Sequence, residues 1–449
     1  MRFRGGSCRR VSRVITLLVV ALLAAPLLAS CAAADDGDGV VLRLYTPADG
    51  ATQYAQAAQD CTAAAAGRYR IQQVTLPRQA DDQRLQLARR IVGGDNTIDI
   101  LGMDVTWTAE FAEAEWIRPF PSYAAAAIRE GTLKTAYDTG TWQDRLYAAP
   151  LNTNTQLLWY RADLMPAGRP PSTWDELIGI AGRLAAADRP SWVEVQAAQY
   201  EGLSVWFNTL LTSAGGQIAG EDGKVRLGEG DAAVRALDII RRVATTPGAD
   251  PSLSQRNEGT TRLAMESGKA AFMVNYPFVL PGIAENGGGA SLDDNGKPTP
   301  AKETGRKVQD VLRWAPYPAV TPGKPASVTI GGLNLAVSRT TRYPTQAVAA
   351  VQCLRNRSNQ LRNALDGGVP PTLEALYADP AFQRAYPAWE AIKQSLDTAS
   401  VRPKSPAYQS ISTVISALLN PPAEIDPQTT RAELDRQVTR AVNSEGLVP

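Results

Sequence analysis

The chain has 449 residues and carries 46 lysines and arginines against 45 aspartates and glutamates, a formal net charge of +1. That balance leaves no basic footprint for nucleic acid, and the length suffices for two domains. Histidine is absent, which removes Ser-His-Asp and Cys-His nucleophile pairs and most zinc sites, so neither metal nor cofactor is expected. No Walker-type phosphate loop occurs, and the glycines of "GGDNT" and "ENGGGA" lack dinucleotide-fingerprint spacing. Chemistry by two carboxylates alone, as in glycoside hydrolysis, is the enzyme class that survives.

Arg2, Arg4, Arg9, Arg10 and Arg13 precede an apolar run from Val14 to Leu28. A basic start, a short apolar stretch and small residues are the layout of a secretory signal. A spanning helix needs about 20 apolar residues, and Pro26 interrupts this run; an uncleaved anchor is the alternative. Leu28-Ala29-Ser30-Cys31 resembles the lipobox of bacterial lipoproteins. That resemblance implies removal of residues 1–30, a lipid on Cys31, and attachment to the outer face of the cell membrane through this lipid alone. The alternative is a small residue beside an ordinary cleavage point. Residues 31–40 then read as a tether, and no later window is apolar enough to span a bilayer.

The body alternates strands and helices. "VVLRLYTP" (residues 40–47) reads as a strand, followed by an amphipathic helix to about Ala66. "RIQQVTLP" is a second strand. "QRLQLARRIVGG" is a helix stopped by glycines. "TIDILGMD" is a third strand, ending at Asp104, and "TWTAEFAEAEWI" another helix. This βαβαβ order predicts an α/β fold with a mostly parallel sheet, and ligands in such sheets lie beyond the strands' carboxyl ends. Residues 146–165 are extended and rich in Asn. In "PPSTWDELIGIAGRLAAA", Thr173 and Glu176 form a capping box ahead of a stripe at Leu177, Ile180, Ala181 and Leu184. Residues 190–280 read as mostly helical, with "GKVRLGE" a short strand. Residues 284–308 form a surface loop. "VLRWAPYPAV" and "VTIGGLNLAVS" return to strand, and the last hundred residues are helical pieces broken by Pro.

Two cysteines remain beyond Cys8 and Cys31. Cys61 and Cys353 both lie in helical stretches. An even pair outside the cytosol favours a disulfide; two buried free thiols are the alternative.

"LYAAP…LLWYR", "PSTWDEL", "MESGKAAFMVNYPF", "TIGGLNLAV" and "GGVPP" occur in order over nearly the whole body. Together they resemble the extracellular solute-binding proteins of ABC sugar importers, the maltodextrin-binding-like group. The resemblance implies two discontinuous α/β lobes joined by hinge strands, with a ligand cleft between. Lobe one takes residues 41–150 and 310–358, and lobe two 151–309 and 359–449. The proposed Cys61–Cys353 bridge then lies within lobe one. Longer stretches, among them "LPRQADDQRLQLARR" and "EGLSVWFNTLLTSAGG", are similar to the actinobacterial trehalose-binding lipoproteins of this group. Trehalose is the ligand so implied, the permease subunits of an ABC importer are the partners, and a monomer is expected. A binding protein for another oligosaccharide or glycoside is the alternative. A secreted glycosidase using Asp104 and Glu258 is a more remote one.

A disaccharide offers many hydroxyls and a few apolar faces. Its site needs carboxylates, amides, a forked Arg donor and flat rings. Asp104 ends a strand on the cleft side and is expected to accept hydroxyls; its other role would be a helix N-cap. The resemblance adds Asn154, Glu258, Tyr276 and Arg402. The mycobacterial proteins carry Trp where this chain has Tyr276. Phe278 is a further aromatic candidate. Gly331, Gly332 and Leu333 follow "VTI", where a bare backbone could approach a ligand or simply turn. Trp206 and Glu201 are candidates for the wall of the site, and Asn152 is weaker than Asn154.

Overall fold

The computed structural model describes residues 39–48, 50–220, 222–299 and 306–445. The signal segment, Cys31 and all but the last two residues of the tether lie outside the described residues. Among the described residues, no helix is long and apolar enough to cross a membrane.

Among the described residues the body contains two large sheets, beside two short two-stranded ribbons. In the first, β1 (Val41–Thr46) pairs in parallel with β2 (Arg70–Thr75) and β3 (Ile100–Asp104). The helices Ala51–Ala64 and Ala80–Val92 make the two crossovers. This is the expected βαβαβ unit, and the second helix meets Gly93 where the sequence places its stop. Leu42, Leu44, Leu87, Ile100, Leu101 and Met103 are all at most 1% exposed, which anchors the unit.

Beyond β3 the sheet turns antiparallel. The short β4 (Ile117–Arg118), β5 (Ala148–Asn154) and the much later β10 (Gly331–Ser338) complete it, with β10 wedged between β3 and β5. The expectation of a mostly parallel sheet therefore holds for one half only. The other half comes from strands that leave for, or return from, the second sheet, so no local crossover helix sets their direction.

The second sheet has the order β9-β6-β8-β7: Leu312–Ala315, Leu157–Arg161, Ala270–Asn275 and Trp192–Glu194. Two of these strands fall inside the stretch read as mostly helical. The run "AAFMVN" is buried at every position, and continuous burial hides the strand period. "GKVRLGE" forms only an isolated bridge, Ala219 to Val225. A core containing Trp174, Trp206, Phe207, Leu237, Phe272 and Ile415 packs on this sheet. At the start of helix Trp174–Ala186, Thr173 accepts from Glu176 N. Glu176 reaches Ser172 N (2.8 Å) rather than Thr173 N, so the capping box is displaced by one residue.

These pairings move the lobe boundaries. β9 belongs to the second sheet, so the chain rejoins the first at Gly331 and not at residue 310. β5 runs to Asn154, past the expected exit at 150. The helix Arg357–Gly367 touches lobe one beyond residue 358, where Arg362 pairs with Asp60 (2.5 Å), while its Ala364 packs in a cluster with Trp159 and Met273 of the second sheet. Helix Tyr408–Leu419 then packs in the core of lobe two.

Cys61 and Cys353 are bonded, S–S 2.03 Å, across 292 residues of sequence. Both sit on helices of lobe one. Closing a loop of this length restricts the unfolded chain by about 5 kcal/mol in the chain-entropy model.

Candidate binding site

Three strand ends of the first sheet meet on one edge. Asp104 closes β3 opposite Leu333, and Asn154 closes β5 opposite Gly331. A Cβ placed on Gly331 would lie 3.4 Å from the Asn154 Cβ and 4.0 Å from Cε1 of Tyr276. Tyr276 follows the last residue of β8, so this point is where the two sheets come together.

Asp104 forms a local turn as well as facing the cleft. Its Oδ1 accepts from Thr106 N (2.9 Å) and Thr106 Oγ1 (2.8 Å). The helix that follows is capped by Trp107 instead, so the N-cap role is replaced by an Asx turn. Oδ1 also lies 3.5 Å from Nη2 of Arg402. The contacts with Thr106 and Arg402 all fall on Oδ1.

Arg402 comes from lobe two and is only 4% exposed. Its Nη1 donates to Glu201 Oε1 (2.5 Å) and its Nη2 to the carbonyl of Ile330 (3.3 Å). The guanidinium stands 5.9 Å from the centre of the Tyr408 ring. Burial alone would push its pKa down, but the charges of Asp104, Tyr408 and Glu201 outweigh burial and raise it. Its Nε is buried with no partner among the described residues. An unspent buried donor is unfavourable unless a ligand or water takes it.

Glu258 is the first residue of helix Glu258–Glu266, where the helix dipole favours a carboxylate. Its charge reaches two phenols. Tyr200 is pushed well above the ordinary phenol value, by burial first and then by Glu258. Tyr276 is raised by burial and by Glu258, with Arg402 opposing and Asp104 and Glu201 adding. Both phenols stay protonated and keep a donor at neutral pH. Gly202 makes room for Tyr200, since a Cβ there would lie 2.2 Å from its Oη.

Other candidates fall elsewhere. Trp206 is 1% exposed and packs against Trp174 (ring centres 6.1 Å apart) in the core of lobe two. Phe278 lies half-buried against a hydrophobic cluster and close to Gly368. Gly332 has φ +136°, and a Cβ there would sit 2.3 Å from the carbonyl oxygen of Asn152. The approach of β5 demands this glycine without any ligand, and a register shift follows it. Leu333 is 6% exposed, and its N–H donates to Asn152 Oδ1 (3.0 Å). Asn152 thus locks two strands together, as its Nδ2 also reaches Tyr54 Oη (3.3 Å).

Sequence reasoning did not find Tyr408 and Ser412, which hold Glu201. They sit four residues apart on one helix, but only the fold brings them to residue 201. It also did not find the contacts along the rim of the cleft. Lys404 Nζ donates to Thr141 Oγ1 (3.0 Å), and Gln409 Nε2 to Asp81 Oδ1 (3.0 Å), each from lobe two to lobe one.

Two α/β lobes joined by strands that pass between their sheets are the architecture of a solute-binding protein. The chain belongs to the bacterial extracellular solute-binding proteins, whose family model matches residues 68–361. It is 27% identical over 346 residues to a probable ABC transporter-binding protein of Deinococcus radiodurans, covering 74% of this chain and 76% of that one. Its fold is similar to that of the maltose-bound MalE3 of T. maritima, with TM-score 0.74 and 23% identity over 90% of this chain and 99% of the other. The GacH receptor of Streptomyces glaucescens, solved unliganded and with acarbose, gives TM-score 0.75 and 20% identity over 91% and 99%. The two-lobe α/β reading of the sequence is thereby borne out, and the family's work lies outside the cytoplasm.

Proposed function

We propose that this protein captures trehalose in the cleft between its lobes and delivers it to the permease of an ABC importer, held at the membrane by a lipid on Cys31. Its sequence closely resembles that of the actinobacterial trehalose-binding lipoprotein LpqY. The observation that carries the reading is the meeting of Asp104 from one lobe with the buried Arg402 from the other, beside the strand ends where Gly331 lies close to Tyr276. Arg402 also holds a buried Nε donor with no partner among the described residues. Such a set suits a ligand that is neutral and rich in hydroxyls: two carboxylates accept, Arg and Tyr donate, and one ring offers a face for C–H groups. No covalent step is required, and the named relatives are binding proteins. Closure of the lobes on the sugar then marks the loaded form for the transporter.

Tyr276 favours keeping a second reading, a related oligosaccharide or glycoside. Its ring is smaller than the Trp of the mycobacterial proteins and adds a hydroxyl. Neighbours of the same fold were solved with maltose and with α-D-tagatose. The test is calorimetric titration of the protein lacking residues 1–31 with trehalose, maltose and sucrose, repeated on Asp104→Ala and Glu258→Ala. Saturable trehalose binding lost in both variants is expected. Binding of another sugar with none of trehalose would sink the substrate and keep the class. Release of glucose from trehalose would overturn the binding-only reading.

A further inference from the structure

We infer that Glu201 is a positioning residue of this site: it acts on the sugar only through Arg402, by fixing where the guanidinium points. The inference rests on the sugar-binding reading above and names a residue that this reading does not need.

Glu201 opens helix Glu201–Ser213, where the N-terminal dipole favours a carboxylate. Both of its oxygens are engaged. Oε1 accepts from Arg402 Nη1 (2.5 Å) and Tyr408 Oη (2.6 Å), and Oε2 accepts from Ser412 Oγ. Ser412 Oγ lies in turn 2.9 Å from Ser204 Oγ, one turn along the helix that Glu201 begins. The carboxylate is thus held by groups from two helices. Three of its about four acceptor sites are filled by protein groups.

Arg402 is held on three sides by Glu201, the Ile330 carbonyl and the Tyr408 ring. Ile330 directly precedes β10, so the guanidinium is tied to a strand that crosses between lobes. The Nη1 bond goes to Glu201 at 2.5 Å, while the contact of Nη2 with Asp104 is a long one, 3.5 Å, on the oxygen already used by Thr106. Glu201 and Asp104 therefore compete for one buried cation, and Glu201 holds the shorter bond. Without the Glu201 charge, the guanidinium has one carboxylate left to satisfy it. It would close on Asp104 and take the oxygen that a sugar hydroxyl needs. Glu201 would in this way keep both the Asp104 carboxylate and Arg402 Nε available to ligand.

The test is a double-mutant cycle read by calorimetry with whichever sugar of the panel wild type binds. Glu201→Gln preserves the shape and, with its amide oxygen at the Oε1 position, the bonds from Arg402 and Tyr408; the amide NH2 then donates to Ser412 Oγ in place of accepting from it, and the charge is removed. It is expected to weaken binding by about tenfold to a hundredfold, the range for a hydrogen bond to a charged group. Arg402→Gln is expected to weaken binding at least as much, and the double variant no further than Arg402→Gln alone. Melting temperatures are measured in parallel, and Glu201→Asp should recover part of the affinity. Losses that add in the double variant, or affinity of Glu201→Gln equal to wild type, would overturn the inference alone. Wild type that gives no heat with any of the sugars would overturn the functional reading, and the inference with it.

Discussion

Arg402 and Arg256 each face two carboxylates, and the protein treats them differently. Arg402 stands between Asp104 and Glu201 where the lobes meet. Arg256 stands between Asp250 (2.5 Å) and Glu194 (3.3 Å) inside lobe two. At the first, Glu201 is satisfied by Arg402, Tyr408 and Ser412 together. At the second, the single Nε hydrogen of Arg256 goes to Asp250, and both oxygens of Glu194 are buried with no hydrogen-bond partner among the described residues. Burial first, then the neighbouring Asp250 against the opposing Arg256, pushes Glu194 up to about 8. Burial raises the Glu201 carboxyl too, but Arg402 and the bonds from Ser412 and Tyr408 oppose that rise, whereas Glu194 has only Arg256 against burial and Asp250. Burying a carboxylate is tolerable when its lone pairs are filled, and otherwise the group neutralises.

That contrast can be broken by substitution. The largest effect is expected for Arg402→Met, which leaves Glu201 buried with its cation removed. Loss of one partner from such a buried pair costs about 3–5 kcal/mol, visible as a lower urea midpoint, and sugar binding should vanish with it. A midpoint equal to wild type would show that Arg402 balances nothing. Next comes Glu194→Gln. The folded protein holds the Glu194 proton up to about pH 8, whereas the unfolded chain releases it near the ordinary value of 4.5. Between those values the folded state binds more protons, so this group's contribution to stability falls as pH rises from 4.5 towards 8. The Gln variant should remove that fall and gain about 2–4 kcal/mol over wild type at pH 8, with little difference at pH 4.5. Equal pH dependence of the two urea midpoints would contradict a retained proton.

Tyr408→Phe removes one donor to Glu201 and keeps the ring beside Arg402. A loss of about 1 kcal/mol in stability and a few-fold weaker sugar binding are expected; unchanged calorimetric affinity would argue against the Glu201 network. The smallest effect is expected at the rim, for Gln409→Ala, because its bond to Asp81 is exposed. Stability should stay within about 0.5 kcal/mol of wild type. The sugar-free protein should nonetheless show a larger radius of gyration in solution scattering. No increase would mean that this contact does not hold the lobes together.

Legibility in the sequence followed the range of the interactions. The βαβαβ unit showed because each element carries its own period and stop signals, as "QRLQLARRIVGG" does. Asp104 was visible as the polar end of an apolar strand. The run "AAFMVN" hid a strand because burial on both faces erases alternation. The return to lobe one at Gly331 was misplaced because β9 pairs with β6, more than a hundred residues earlier. Glu201 and Arg402 meet across 201 residues, and no local pattern records that. Gly332 carried a correct signal of close approach, but what approaches is a strand.

The central claim is that residues from both lobes grip one sugar around Tyr276. A crystal structure of the protein grown with trehalose tests it most directly. The account predicts the disaccharide within hydrogen-bond reach of Asp104, Glu258 and Arg402 Nε, with the Tyr276 ring against a sugar face. A sugar bound elsewhere, or a cleft in which Arg402 and Asp104 bond each other and exclude it, would contradict the account.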